Sequence, residues 1–180
     1  GDRSRRHVRL VLGVVDEGNE FSHQRSGVGV DGGVLIGRQQ IGLYQAVLDN
    51  LLAVTASGDE NQKKGAVLAA ITALKQICNH PAQFAQQGGF EPAASGKFER
   101  LRLLCEPIVE RQERMLVFTQ FQTLTEPLAG FLATVFARPG LVLHGGTPVK
   151  KRSTLVDAFQ ATDGPSFFVI SLKAGGSGLN

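Results

Sequence analysis

The stretch that decides the fold runs from residue 115 to residue 180: MLVFTQFQTL TEPLAGFLAT VFARPGLVLH GGTPVKKRST LVDAFQATDG PSFFVISLKA GGSGLN. Three short apolar runs punctuate it, Met115 to Thr119, Leu141 to Leu143 and Ser166 to Ser171. Helical patterns separate them. Phe121, Leu124, Leu128, Phe131 and Val135 recur at spacings of 3, 4, 3 and 4, which puts them on one helix face. Val149, Leu155, Val156 and Phe159 mark the next helix. Thr147 is suited to cap it and Pro148 to begin it. Strands that are apolar on both faces and alternate with helices predict a parallel sheet covered on both sides, with right-handed crossovers. Ligands of such sheets sit beyond the carboxyl ends of the strands. Three unusual segments fall at that edge: Thr119-Gln120-Phe121, His144-Gly145-Gly146-Thr147, and Ser171 to Asn180.

Before this stretch the pattern is helical. Leu43, Val47, Leu51 and Leu52 share a face of a helix beginning near Gln39. After a polar break from Gly58 to Gly65, Val67, Ile71, Leu74 and Cys78 predict the buried face of a second helix, over about Ala66 to Asn79. It ends at Asn79-His80-Pro81, because proline disfavours helical geometry in the residue before it. A third helix, about Lys97 to Arg111, turns Leu101, Leu104, Cys105 and Ile108 inward. Residues 1–38 differ: they hold eight glycines and six arginines and no sustained period, so they are expected to bury little and to be poorly ordered. The organisation expected is therefore a glycine- and arginine-rich segment over 1–38, a helical segment over 39–96, and an α/β domain over 97–180.

The bulk numbers set bounds. A formal net charge of +3 permits a nucleic-acid partner without arguing for one. Cys78 and Cys105 sit in apolar helical patterns and read as buried thiols, which fits a reducing cytoplasm. No apolar run approaches the roughly 18 residues of a membrane span, so no membrane partner is expected.

The glycine-rich end from Lys173 is the strongest chemical signal. Its glycines let backbone N–H groups turn toward an anion, and Lys173 adds a point charge suited to phosphate. A tight turn without a ligand is the alternative. Lys150, Lys151 and Arg152 either face the same phosphate or form a solvated helix face. Other chemistries find no support. Gly96-Lys97 is followed by Phe98, and the position five before Gly96 is Glu91, so no ATP phosphate loop forms there. Residues 27–32 match the dinucleotide spacing, but polar residues precede them where a strand is needed. Cys78 and His80 lack the partners of a metal site, and Ser177 lies outside any nucleophile elbow. No catalytic or metal-ligating residue is assigned.

Four segments together resemble the Swi/Snf-type helicase-like ATPases of helicase superfamily two: Leu74-Lys75-Gln76-Ile77-Cys78-Asn79-His80-Pro81, Val117-Phe118-Thr119-Gln120-Phe121, Leu143-His144-Gly145-Gly146-Thr147, and Ser171 to Asn180. The first looks like bacterial members. The resemblance implies a three-layer RecA-like lobe, the second of two that clasp ATP and Mg2+ between them while double-stranded DNA lies across both. It implies that Thr119, Gln120, His144, Gly145, Gly146, Thr147, Ser171, Lys173, Ala174 and Gly175 contact DNA, and that Gly176, Gly178 and Asn180 lie toward the nucleotide. The Cys78 to Pro81 stretch is implied to be structural, ending the segment that joins the lobes. The family's first lobe and its later arginine motif, which serves phosphoryl transfer, have no counterpart in these 180 residues, and residues 1–38 do not resemble the family's usual lead-in strand. The lobe is thus expected to be incomplete, a portion of an ATP-driven duplex translocase that binds no nucleotide and hydrolyses none alone. A non-catalytic DNA-binding lobe and a nonfunctional remnant are the alternatives.

Overall fold

The computed structural model describes residues 37–175 and, as backbone, residues 8–11. The three strands expected from the sequence are present: β2 (Arg114–Thr119), β3 (Leu141–Leu143) and β4 (Phe167–Ser171), all parallel. A further strand, β1 (Val8–Val11), pairs parallel with β2, so the order among the described residues is β1-β2-β4-β3. No strand is expected there from the sequence: Val8 to Val11 open a short apolar run that follows arginines and is interrupted at Gly13, too brief a signal to place it, and the backbone edge of β2 supplies the partner.

The sheet is the middle of three layers. On one face, Met115 and Val117 of β2 and Phe167 and Val169 of β4 pack against α4 (Gly96–Glu110) and α5 (Thr125–Phe136), which contribute Phe98, Leu101, Cys105, Leu128 and Leu132. On the other, Leu143, Phe168 and Ile170 meet Phe159 of α6 (Val149–Gln160). Alternation of side chains along each strand explains the division. Burial pushes the Cys105 thiol up to about 12; Cys78 is half-buried, and both thiols are free. Leu104, expected inward, is exposed.

Arg114 fastens the outer layer. It is buried at the start of β2, where its guanidinium donates to the carbonyls of Phe159, Ala161 (2.5 Å) and Thr162 (2.7 Å) and lies over the Phe159 ring. Those carbonyls belong to the end of α6, which leaves its last acceptors unpaired and its dipole negative. A buried cation there supplies both needs.

Two helices precede the lobe, α1 (Arg38–Ser57) and α2 (Glu60–Asn79). Helix α2 starts earlier than the periodicity indicated. Asp59 accepts from the Gln62 amide while its own N–H donates to Gln62 Oε1, a capping box that stabilises the polar first turns. The expected buried face of α2 is also corrected: Val67 and Ile71 are exposed, and Ala70 and Ile77 are buried instead. The helices approach through the small residues Ala66, Ala69, Ala70 and Ala73, which line an apolar groove of about 340 Å³ with Leu43, Val47 and Leu51. Leu52, expected with that α1 face, is 66% exposed.

A buried polar knot joins these helices to the lobe. Gln40 donates to the Ile77 carbonyl (2.7 Å) and accepts from the Gly37 amide (3.0 Å). The Ser95 hydroxyl donates to the Asn79 carbonyl (2.5 Å) and accepts from the Phe98 amide, capping α4. Lys97 donates to Asn79 Oδ1. His80 begins the short helix α3 (Pro81–Ala85) by accepting from the Ala82 amide at Nδ1, and its Nε2–H donates to the Glu91 carbonyl (2.8 Å). Its ring packs on Phe90 and Phe98. Both nitrogens are thus satisfied by the neutral imidazole, and burial holds the His80 pKa below the ordinary 6.5.

Two outcomes follow from this packing. Replacing Arg114 by Ala strands three carbonyls and is expected to lower unfolding free energy by about 3 kcal/mol, read from urea melts. For His80 the folded pKa is depressed, so its contribution is complete above pH 6.5 and is lost as pH falls through and below that value, by at most about 1.4 kcal/mol per unit. Melts between pH 7.5 and 5 should show this extra acid sensitivity in the parent chain and not in His80→Gln.

Candidate nucleic-acid interface

Strand register brings the candidate residues together. Thr119 of β2 is level with Ser171 of β4, and Leu143 of β3 is level with Ile170. The three strands therefore end together, and the segments that follow them emerge side by side at the carboxyl edge. These are Gln120 to Gln122, His144 to Thr147, and α7 (Leu172–Gly175). The part of the glycine-rich segment within the described residues is this helical turn. Gly176, Gly178 and Asn180, assigned to the nucleotide side, lie outside the described residues.

The individual residues divide by exposure. Gln120, Gly145, Gly146 and Lys173 are exposed, and His144 and Thr147 half-buried. Thr119 and Ser171 are buried at 0% and 1%. Thr119 Oγ1 accepts from the Phe121 amide (3.3 Å), which shapes the turn leaving β2. Ser171 Oγ is buried with no hydrogen-bond partner among the described residues. Ala174 is also inward, packed with Leu143, Phe159, Phe168 and Ile170; it fixes the turn that carries Lys173 outward. Of Gly175 the structure gives the backbone, as the last residue of that turn.

The His144 to Thr147 loop is closed on itself. The Thr147 amide donates to the His144 carbonyl (2.9 Å), and the His144 amide donates to Thr147 Oγ1 (3.1 Å). This hydroxyl is therefore spent on the loop, and it does not cap α6, whose start carries no side-chain cap. The Gly146 amide donates to His144 Nδ1 (3.1 Å). A Cβ on Gly146 would stand 3.1 Å from the His144 ring, and one on Gly145 would stand 3.3 Å from Gln122 Oε1. Glycine at both positions lets the ring and the Gln122 amide lie close over the backbone.

Two residues of this arrangement were not found by sequence reasoning. Gln122 is exposed, in the turn after β2, and reaches the loop only because β4 brings β2 and β3 to one level. Arg152 was read with Lys150 and Lys151 as one basic face. The structure splits the trio. Lys150 and Lys151 are exposed, whereas Arg152 is half-buried and reaches back across the loop, from Nε to the Thr147 carbonyl (3.2 Å) and from Nη2 to the Gly145 carbonyl (3.4 Å). Its position one helical turn beyond the loop is the signal that would have marked it.

Among the described residues no group of three or more His, Cys, Asp or Glu side chains could hold a metal ion, and no helix is long and apolar enough to cross a membrane. The edge offers hydrogen-bond donors, small residues and an exposed lysine, a set suited to phosphate oxygens.

Known proteins resemble this chain in sequence and fold. Residues 96–180 match the family described as helicase conserved C-terminal domain. The chain is 34% identical over 144 residues to a Bacillus subtilis protein named as an ATP-dependent helicase/translocase, YwqA, covering 79% of this chain and 16% of that protein. It is 31% identical over 152 residues to the nuclear protein STH1/NPS1 of Saccharomyces cerevisiae, covering 77% of this chain and 11% of the other. The chain thus spans a small part of the curated relatives it matches. Its fold superposes on the Sulfolobus solfataricus SWI2/SNF2 ATPase C-terminal domain with a TM-score of 0.74 and 28% identity, over 81% of this chain and 63% of that one. On the core of that ATPase in complex with double-stranded DNA the TM-score is 0.71, with 26% identity, over 76% of this chain and 29% of that one.

Truncating Arg152 to Ala releases two loop carbonyls without touching the core. Stability is expected to change by less than about 1 kcal/mol, while the amide resonances of Gly145, Gly146 and Thr147 move and broaden. Unmoved loop resonances would show that the clamp does not shape the loop.

Proposed function

Because this chain belongs to the SWI2/SNF2 helicase family, as a C-terminal domain of it, we propose that it forms the second-lobe half of an ATP-driven motor that travels along duplex DNA. The observation that carries this reading is the common level of the three strand ends, which sets Gln120, the His144 to Thr147 loop and Lys173 along one edge. A duplex backbone is a repeating line of phosphates. An edge that presents the exposed Gln120, the His144 to Thr147 loop and a lysine meets that line without reading bases. The described contacts refine the roles of the candidates. Gln120, His144, Gly145, Gly146 and Lys173 face the DNA, while Thr119, Thr147, Ser171, Ala174 and Gly175 hold the turns from which they project.

ATP and Mg2+ belong to the complete motor in this reading. The described residues supply no phosphate loop and no acidic pair for magnesium, so this lobe contributes one wall of the nucleotide cleft and a first RecA-like lobe contributes the other. Gly176, Gly178 and Asn180 are the residues proposed for that wall. Bound nucleotide supplies the free energy that closes the lobes. In this reading the glycine-rich segment that begins at Lys173 is the element that couples closure to movement along the duplex.

The test is a salt titration of duplex binding by the 180-residue chain. Lys173→Ala is expected to weaken binding to all sequences about equally. It should also make the slope of log K against log salt shallower by about 1, since one phosphate contact is lost. An unchanged affinity and slope would remove Lys173 from the interface.

A further inference from the structure

The closed loop after β3 fixes the chemistry of its histidine. A backbone amide can only donate, so the Gly146 N–H at 3.1 Å from His144 Nδ1 requires an unprotonated acceptor nitrogen. The neutral ring then carries its hydrogen on Nε2. His144 Nε2 meets no partner among the described residues, and the side chain is half-buried beside the exposed Gly145 and Gly146. The alternative tautomer, with its hydrogen on Nδ1, would have to turn away from Gly146, whose lack of a side chain lets the ring lie 3.1 Å from its Cβ position. The other loop bonds oppose any such shift. Thr147 and His144 hold each other reciprocally, Arg152 spans the Gly145 and Thr147 carbonyls, and Gln122 lies against both glycines.

We infer that the Gly146 amide fixes the tautomer of His144, with the hydrogen on Nε2, and that the ring meets the DNA backbone as an uncharged single donor. This rests on the proposed duplex-DNA reading and adds a division of labour to it. Lys173 supplies charge, which attracts any phosphate and responds to salt. His144 supplies direction, because one fixed N–H donates only to an oxygen placed along its axis. A neutral donor also lets go at little electrostatic cost, which suits a contact made and broken at every step of a moving protein.

The experiment has two arms on the full 180-residue chain at pH 7.5. In the first, nitrogen-15 spectra of the free protein report the tautomer. His144 is expected to show a pyridine-type Nδ1 and a pyrrole-type Nε2–H, and Gly146→Ala is expected to erase that preference. A hydrogen on Nδ1, or an averaged pair, overturns the inference whatever DNA does. In the second, duplex affinity is measured across salt for the parent, His144→Ala, His144→Gln and His144→Asn, each checked for an unchanged melting transition. Removing a neutral hydrogen bond should cost about three- to tenfold in affinity and leave the salt slope as it was. Gln, whose amide reaches the Nε2 position, should recover part of the loss. Asn, which reproduces only the Nδ1 position, should not. A slope shallower by about 1 in His144→Ala means a charged contact and overturns the inference. Loss of affinity in Lys173→Ala but none in His144→Ala also overturns it while leaving the duplex reading intact. No loss in either variant overturns both.

Discussion

The level pairing of β2 with β4, and of β4 with β3, is the constraint on which everything else depends. Parallel hydrogen bonding places Thr119 beside Ser171 and Leu143 beside Ile170. Since parallel strands share one direction, the chain must leave all of them at the same edge. Segments more than about 20 residues apart in sequence thereby become neighbours without any contact between their side chains being needed. The sheet does this cheaply, because helices cover both of its faces and the register is set by the layers that cover it. A slip of one residue would exchange the α4–α5 face with the α6 face along the entire strand.

The layers hold that register from opposite ends. At the amino edge Arg114 grips the last carbonyls of α6, and at the carboxyl edge Arg152, from the same helix, grips the loop before it. Helix α6 is thus fastened at both ends by arginines that look, in sequence, like ordinary surface charge. The knot of Gln40, Asn79, His80 and Ser95 does the corresponding work for the preceding helices. Gln40, His80 and Ser95 satisfy backbone groups exposed by a helix end or a turn, while the Asn79 side chain pairs with Gln83 and Lys97, so the joint is polar and buried. A polar joint specifies one arrangement more sharply than an apolar one, which can slide.

The sequence made the sheet legible because its strands are short, apolar and separated by helices of clear period. It made the candidate edge legible because glycines and polar residues interrupt that alternation at the strand ends. What it hid has physical reasons. Strand β1 lies in a short apolar run broken by Arg9 and Gly13, too brief to place a strand without the edge of β2 with which it pairs. The inward face of α2 was misjudged because periodicity favours large apolar residues, whereas the helices pack through alanines and leave Val67 and Ile71 outside. Thr147 was placed as a helix cap because its type and position permit that, but His144 competes for the same hydroxyl. Thr119, Ser171 and Ala174 belong to the motif pattern, and only the burial of their side chains distinguishes residues that shape the edge from residues that face outward.

The most direct measurement of the central claim is a duplex titration followed amide by amide in proton–nitrogen correlation spectra of the 180-residue chain. If the carboxyl edge is the DNA interface, resonances of Gln120, Gln122, His144 to Gly146 and Lys173 shift together with one dissociation constant. Those around Arg114, Ala161 and Thr162 at the opposite edge stay fixed. Shifts confined to the opposite edge or to the helices before the lobe, with the three carboxyl-edge segments unmoved, would contradict the account.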